Sequence, residues 1–398
     1  MMLKFDIHSN VDSFIDLGHY NDLMSRKSDI LDKFYSSDMI GWTERIDDCV
    51  VDKIKYTAEM IKSNFDCLVM IGIGGSFLGS YAFDQVFKNS LNDNSFEIIY
   101  AGTTLSSKSM EELLLYLQDK NFCINVISKS GTTMETTITY QLLKDLLKRK
   151  YSPEEVIKHI IITTDREKGK LREEVNNEGY LSFEIPNNIG GRYSFLTPAH
   201  LLPLAINYDI DSIIHGYYYG KRYIDEAYQY AVIRQLLFEK GKVVENYCFY
   251  DQSMIYFAEW LKQLFGETEG KNGVGVLPMS TIHTRDLHSL GQFLQEGNKI
   301  IYETFLKVED SPYYVSYQNR SLNDINNLVE DSVIRAHTKG GVPCLEFILD
   351  QMNEDNLASL IYFFQLSAAF SAYLFNVNPF DQPGVEVYKQ EVRNSLEG

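Results

Sequence analysis

Between residues 67 and 185, short apolar runs alternate with stretches whose apolar positions recur every three or four residues. Cys67-Leu-Val-Met-Ile-Gly-Ile73, Phe96-Glu-Ile-Ile-Tyr-Ala101, Cys123-Ile-Asn-Val-Ile127, His159-Ile-Ile-Ile-Thr-Thr164 and Tyr180-Leu-Ser-Phe-Glu-Ile185 read as buried strands. Helix-like stretches over residues 81–89, 109–120, 136–150 and 168–177 separate them. Strands that alternate with helices imply a parallel sheet covered on both faces. A break falls around Pro198 to Pro203, after which residues 243–249 and 273–278 read as strands and 253–265 and 356–375 as helices. The first sixty residues read as helices throughout. The pattern predicts an α/β protein of two doubly wound parallel-sheet domains. Residues 61–200 would form the first, residues 201–398 the second with a helical tail, and residues 1–60 a helical segment packing on the second.

Composition changes this picture little. The chain has 398 residues, 44% hydrophobic and 23% charged, which is ordinary for a globular protein large enough to bury its own core. There is no low-complexity tract, flexible linker or short-period repeat. The net charge of −18 argues against nucleic acid or an anionic membrane as partner, so an anionic ligand would need a local cluster of positive groups. Cys49, Cys67, Cys123, Cys248 and Cys344 are odd in number and far apart, with no metal-ligand spacing, and read as reduced structural thiols of a cytosolic protein. The N-terminus lacks the apolar core of a signal peptide. Residues 357–377 are charge-free and long enough to span a membrane, but acidic residues precede them and no basic cluster flanks them. A central core helix is the preferred reading.

The chemistry-bearing stretch is Ser128-Lys-Ser-Gly-Thr-Thr133, between an apolar strand and a helix. Backbone N–H groups at a helix start bind anions, and the macrodipole adds to the attraction. The stretch therefore reads as a phosphate site, or else as an ordinary hydroxyl-rich helix cap. Gly72-Ile-Gly-Gly-Ser-Phe-Leu-Gly79 is a second loop of this kind, where Gly75 lets backbone approach a ligand and Ser76 can reach a phosphate. It is not a dinucleotide fingerprint, because Phe77 replaces the third glycine and the next strand ends without the ribose-binding acid. It is not a Walker loop either. Arg192 sits in the loop Pro186-Asn-Asn-Ile-Gly-Gly-Arg-Tyr-Ser194. Glu296, His337 and Lys389 each read, taken alone, as ordinary helix-end, structural and surface residues.

Together these pieces resemble the glucose-6-phosphate isomerase family, in its bacterial branch, on the sugar isomerase (SIS) fold. The resemblance rests on the two hydroxyl-rich loops, Gly190-Gly-Arg-Tyr-Ser194, Gln292 with Glu296, Ala336-His-Thr-Lys-Gly-Gly-Val-Pro343, and Asp381-Gln-Pro-Gly-Val-Glu386 with Lys389. These run in the family's order from about residue 67 to residue 390. It implies that Gly75, Ser76, Ser128, Lys129, Ser130 and Thr133 bind the substrate phosphate, and that Gln292 and Gln382 contact the sugar. Glu296 would move a proton between C2 and C1, Arg192 would lie beside the enediolate, and His337 and Lys389 would serve ring opening. The family supplies its histidine from the partner subunit, which implies a homodimer. Neither metal nor organic cofactor is expected. Rival readings are another SIS-type isomerase, acting on a different sugar phosphate, and a sugar-phosphate-sensing protein without catalysis. The chain is shorter than most family members.

Overall fold

The structure, a computed structural model, describes residues 3–8, 11–89, 91 and 94–397. The chain divides into two compact units, a continuous one of residues 38–211 and a discontinuous one of residues 1–37 and 212–398.

The continuous unit is built on a five-stranded sheet in the order Glu97–Ala101, Cys67–Ile71, Phe122–Ile127, Ile160–Thr164, Leu181–Glu184, parallel throughout. Every residue of the Cys67–Ile71, Phe122–Ile127 and Ile160–Thr164 strands is buried, which is why they read as mostly apolar runs. Helices Leu78–Phe87, Ser107–Leu117, Met134–Lys150 and Lys170–Glu178 alternate with the strands as the periodicity predicts. Val69, Ile71, Ile124, Val126, Leu143 and Leu147 belong to one buried cluster, each worth about 1.5–3 kcal/mol of burial. In chain order the sheet runs second, first, third, fourth, fifth. The order reverses between the first strand and the third, and ligands of doubly wound sheets bind beyond the C-terminal ends at such a switch point.

Four strands of the discontinuous unit repeat that order, and the fifth place is taken by Leu3–Ile7, which comes first in the chain. The sheet runs Leu3–Ile7, Cys344–Gln351, Ile301–Asp310, Val244–Phe249, Leu277–Ile282, with only Leu3–Ile7 antiparallel. Three expectations are corrected here. The N-terminus opens with an edge strand rather than a helix. The strand expected at 273–278 begins at Leu277, because Gly273 and Gly275 take φ of +78° and +108° and form a turn. Ile301–Asp310 and Cys344–Gln351 were not foreseen, since buried carboxylates at Glu303 and Glu346 interrupt their apolar runs.

Helix Glu354–Leu374 passes the length and hydropathy test for a membrane span, yet 89% of its apolar window is buried inside the protein. It packs against helices Ile224–Glu239 and Ile255–Glu269. The same core holds Arg234, fully buried, whose guanidinium forms a bidentate pair with Glu269 at 2.9 and 2.8 Å and also contacts Glu245. Burying an arginine requires such compensation, and Phe265 adds a ring face 4.1 Å away.

Candidate active site

Two loops leave the C-terminal ends of neighbouring strands at the switch point of the continuous unit. The first follows Cys67–Ile71 and turns through a 3-10 helix, Gly74–Ser76, into helix Leu78–Phe87. The second, residues 128–133, follows Phe122–Ile127 and enters helix Met134–Lys150. Ser128 is buried, accepts from Gly131 N–H at 3.1 Å, and lies 3.3 Å from the Thr133 hydroxyl. Ser130 accepts from Thr132 N–H at 3.2 Å and from its hydroxyl at 3.0 Å. Thr133 occupies the N-cap without a side-chain hydrogen bond to the helix. The helix's first turn therefore offers backbone N–H groups to an anion, beside a loop that carries four hydroxyls. The loop is tightly backed. Gly131 takes φ +67°, and a Cβ there would meet Leu171 N at 2.9 Å.

The Arg192 loop is held against the first of these loops. A Cβ on Gly75 would fall 2.3 Å from the Gly191 carbonyl carbon, so only glycine allows this approach. Ser194 Oγ donates to the Gly75 carbonyl at 3.1 Å or to Gly191 at 2.7 Å. His200 completes the clamp. Its Nδ1 accepts from Ser80 N–H at 3.0 Å, which leaves the proton on Nε2 to donate to the Gly75 carbonyl at 2.8 Å. Burial pushes its pKa down to about 4, so it is a neutral structural tie. Arg192 is 3% exposed, with its guanidinium 5.6 Å from the Tyr193 ring centre. The Lys129 ammonium is turned onto carbonyls of the segment before that loop: Asn187 at 3.1 Å, Pro186 at 3.3 Å and Ile189 at 3.5 Å.

The discontinuous unit carries the remaining expected residues. Glu296 ends helix Leu287–Glu296, is exposed, and accepts from Gln292 Nε2 at 2.8 Å. Lys389 sits on helix Pro383–Glu397 and pairs with Glu386 at 2.9 Å. Gln382 is exposed just before that helix. His337 differs from the expectation of an imidazole at the sugar. It is 4% exposed, and its Nδ1 donates to the fully buried Glu303 at 2.6 Å. That pair joins the end of helix Leu322–Lys339 to the start of strand Ile301–Asp310, which is a packing role.

Two residues passed over in the sequence meet the requirements better. Glu267 lies in the last turn of helix Ile255–Glu269, half-buried, and accepts from Gln263 Nε2 at 3.1 Å. Two positions on, Glu269 pairs with Arg234, so this helix end is tied to the core. Lys271 follows and binds Asp381 at 2.9 Å and the Asn378 carbonyl, which fixes the Asp381–Gln382 motif beside the same helix end. Nothing comparable ties that motif to Glu296 among the described residues. His288 stands in the first turn of helix Leu287–Glu296, just beyond the C-terminal end of strand Leu277–Ile282. Its imidazole is exposed and has no side-chain partner among the described residues. Its spacing to Gln292, one helical turn on, was the signal available in the sequence.

Cys248, His283 and Glu303 bring a thiol, an imidazole and a carboxylate within 4.8 Å of one another. Asn246 Nδ2 already donates to Cys248 Sγ and Glu303 Oε1, both at 3.2 Å, and Thr281 holds His283 Nε2 at 3.1 Å. The cluster is a satisfied hydrogen-bond network around the Glu303–His337 pair.

A family profile described as Phosphoglucose isomerase matches residues 50–311. The glucose-6-phosphate isomerase of Staphylococcus aureus (strain Newman) is 41% identical over 382 residues, covering 89% of this chain and 86% of the relative. The chain belongs to the phosphoglucose isomerase family. Among solved structures, a hypothetical protein from Thermus thermophilus is similar with a TM-score of 0.86, 25% identity and full coverage of both chains. A glucose-6-phosphate isomerase from Chlamydia trachomatis shares the fold at a TM-score of 0.77 and 20% identity, covering 90% of this chain and 77% of the other. Membership of the phosphoglucose isomerase family agrees with the resemblance drawn from the motifs, and with the parallel, doubly wound sheets of both units.

Proposed function

We propose that the protein is a glucose-6-phosphate isomerase that interconverts glucose 6-phosphate and fructose 6-phosphate through a cis-enediol. The observation that carries this reading is the pair of glycine- and hydroxyl-rich loops at one switch point, in a chain of this family. Ser76, Ser128, Ser130 and Thr133, with backbone of Gly75 and Lys129, hold the phosphate. The phosphate does not react, and its binding energy keeps the sugar in register with the acid and base groups.

Isomerisation removes a weakly acidic proton next to a carbonyl and returns it to the adjacent carbon. A single carboxylate performs both transfers, typically for about 10²- to 10⁴-fold in rate. Glu267 is the favoured base because its helix end is tied to the core through Glu269 and to the Asp381–Gln382 motif through Lys271, and Glu296 is the alternative. Arg192 stabilises the negative oxygen of the intermediate. Ring opening needs a proton shuttle between ring oxygen and hydroxyl. His288 suits this task, because its imidazole meets solvent while His337 is committed to Glu303. Lys389 assists it, and Gln292 and Gln382 hold sugar hydroxyls. The reading includes a cytoplasmic location and a homodimer, which a solution mass measurement checks.

The deciding experiment supplies fructose 6-phosphate and follows glucose 6-phosphate with a coupled dehydrogenase. Well-folded protein without turnover would sink the reading. Faster turnover of mannose 6-phosphate or glucosamine 6-phosphate would move it to a different sugar-phosphate isomerase.

A further inference from the structure

Lys129 lies inside the phosphate loop, yet its side chain is used elsewhere. An ammonium has three donors. The Lys129 ammonium has three acceptors within hydrogen-bond reach, the carbonyls of Pro186, Asn187 and Ile189. Burial lowers its pKa, opposed by the charge of Asp165. Asp165 is itself fixed, accepting from Glu167 and Lys168 N–H at 2.8 and 3.0 Å. The loop is also closely backed, since a Cβ on Gly169 would meet the Ser130 carbonyl at 2.9 Å. To reach a phosphate, the ammonium would have to abandon carbonyls that compensate its partial burial.

The segment it holds runs directly into Gly190-Gly191-Arg192, and Gly191 is the residue pressed against Gly75. We propose that Lys129 is a positioning residue: its ammonium braces the segment 186–189 so that Gly191 and Arg192 stay in place against the glycine loop, while only its backbone serves the phosphate. This rests on the isomerase reading above. The carbonyl ties connect the loop that anchors the substrate with the loop that stabilises its intermediate. Loss of the brace therefore acts on the reacting end of the sugar more than on the phosphate end.

The test measures Lys129→Met for kcat and KM with fructose 6-phosphate, for competitive inhibition by inorganic phosphate, and for amide hydrogen exchange over residues 186–192. The wild-type rate, taken first, separates failure of the isomerase reading from failure of this one. The brace predicts that kcat falls at least about tenfold, since small misplacements at a reacting centre are costly. The inhibition constant of inorganic phosphate should stay within about threefold of wild type. Exchange over residues 186–192 should quicken. An inhibition constant raised about tenfold or more would mean that the ammonium contacts the anion, and would overturn the proposal, as would unchanged kcat. Should Lys129→Met fail to fold, Lys129→Gln replaces it. Glutamine keeps N–H donors without the charge, so a brace retains more kcat than the wild-type charge alone would explain, with inorganic phosphate affinity preserved. Weakened inorganic phosphate inhibition in Lys129→Gln would again overturn the proposal.

Discussion

The two units share the order of the four strands around their switch points and carry different loops upon it. In the continuous unit the strands flanking the switch point, Cys67–Ile71 and Phe122–Ile127, lead into Gly72-Ile-Gly-Gly-Ser76 and Ser128-Lys-Ser-Gly-Thr-Thr133. In the discontinuous unit the equivalent strands, Val244–Phe249 and Ile301–Asp310, lead into Tyr250-Asp-Gln-Ser253 and Ser311-Pro-Tyr-Tyr314. The second pair has no glycine, and Asp251, Glu309 and Asp310 surround it with negative charge. Backbone cannot approach an anion there, and the carboxylates repel it. Topology offers a place for a ligand, and loop chemistry decides whether a phosphate takes it. The discontinuous unit instead presents its candidate side chains on helix ends, next to buried ion pairs such as Arg234–Glu269.

This division of labour makes separable predictions. The largest effect is expected at Glu267. Glu267→Gln should lower kcat by about 10³-fold or more with inorganic phosphate inhibition intact, while Glu296→Gln stays within about threefold of wild type. The reverse pattern in steady-state kinetics would return the base to Glu296. The two histidines sharpen the contrast next. His288→Asn should cost about 10²-fold in rate with the cyclic substrate and leave thermal stability unchanged. His337→Asn should destabilise the fold by about 1–3 kcal/mol, because it removes a buried hydrogen bond to Glu303, as denaturant unfolding would report. In the continuous unit, Ser128→Ala should raise the inorganic phosphate inhibition constant about tenfold, the loss of one hydrogen bond to a charged group, with kcat changed less. The smallest effects concern Gly75 and pH. Gly75→Ala should cost about 1–3 kcal/mol of stability through the clash with Gly191, measured by thermal unfolding.

Both units also hold a buried neutral histidine, His200 and His283, each with a pKa lowered from 6.5 to about 4 by desolvation. The unfolded chain binds more protons than the native one between those values. Their contribution is therefore complete above pH 6.5 and is lost as pH falls toward 4. Unfolding midpoints measured across that window should fall with acidification. A flat profile would mean that these imidazoles protonate without cost.

The sequence displayed the continuous unit well, because its three central strands are fully buried and mostly apolar and its hydroxyl-rich loops are contiguous motifs. The discontinuous unit was harder. Glu303 and Glu346 each stand third in a strand, in its buried part, where a charged residue ordinarily speaks against burial. Their compensation comes from residues distant in sequence, such as His337 and Lys307. The same distance hid the roles of the carboxylates in Gly266-Glu-Thr-Glu-Gly270. Only the position of Arg234 distinguishes Glu269, which is locked in the core, from Glu267, which is not. Lys129 teaches a related point: a motif places the residue on its loop, but the direction of a long side chain depends on the carbonyls that receive it.

The central claim is that this fold moves a proton between neighbouring carbons of a phosphorylated sugar. Incubation of the protein with fructose 6-phosphate in deuterium oxide, with the product read by nuclear magnetic resonance, tests it most directly. The account predicts glucose 6-phosphate carrying deuterium at C2, lost together with turnover in Glu267→Gln. Absence of glucose 6-phosphate, or product and recovered substrate both free of deuterium after many turnovers have let the carboxyl proton exchange with solvent, would contradict it.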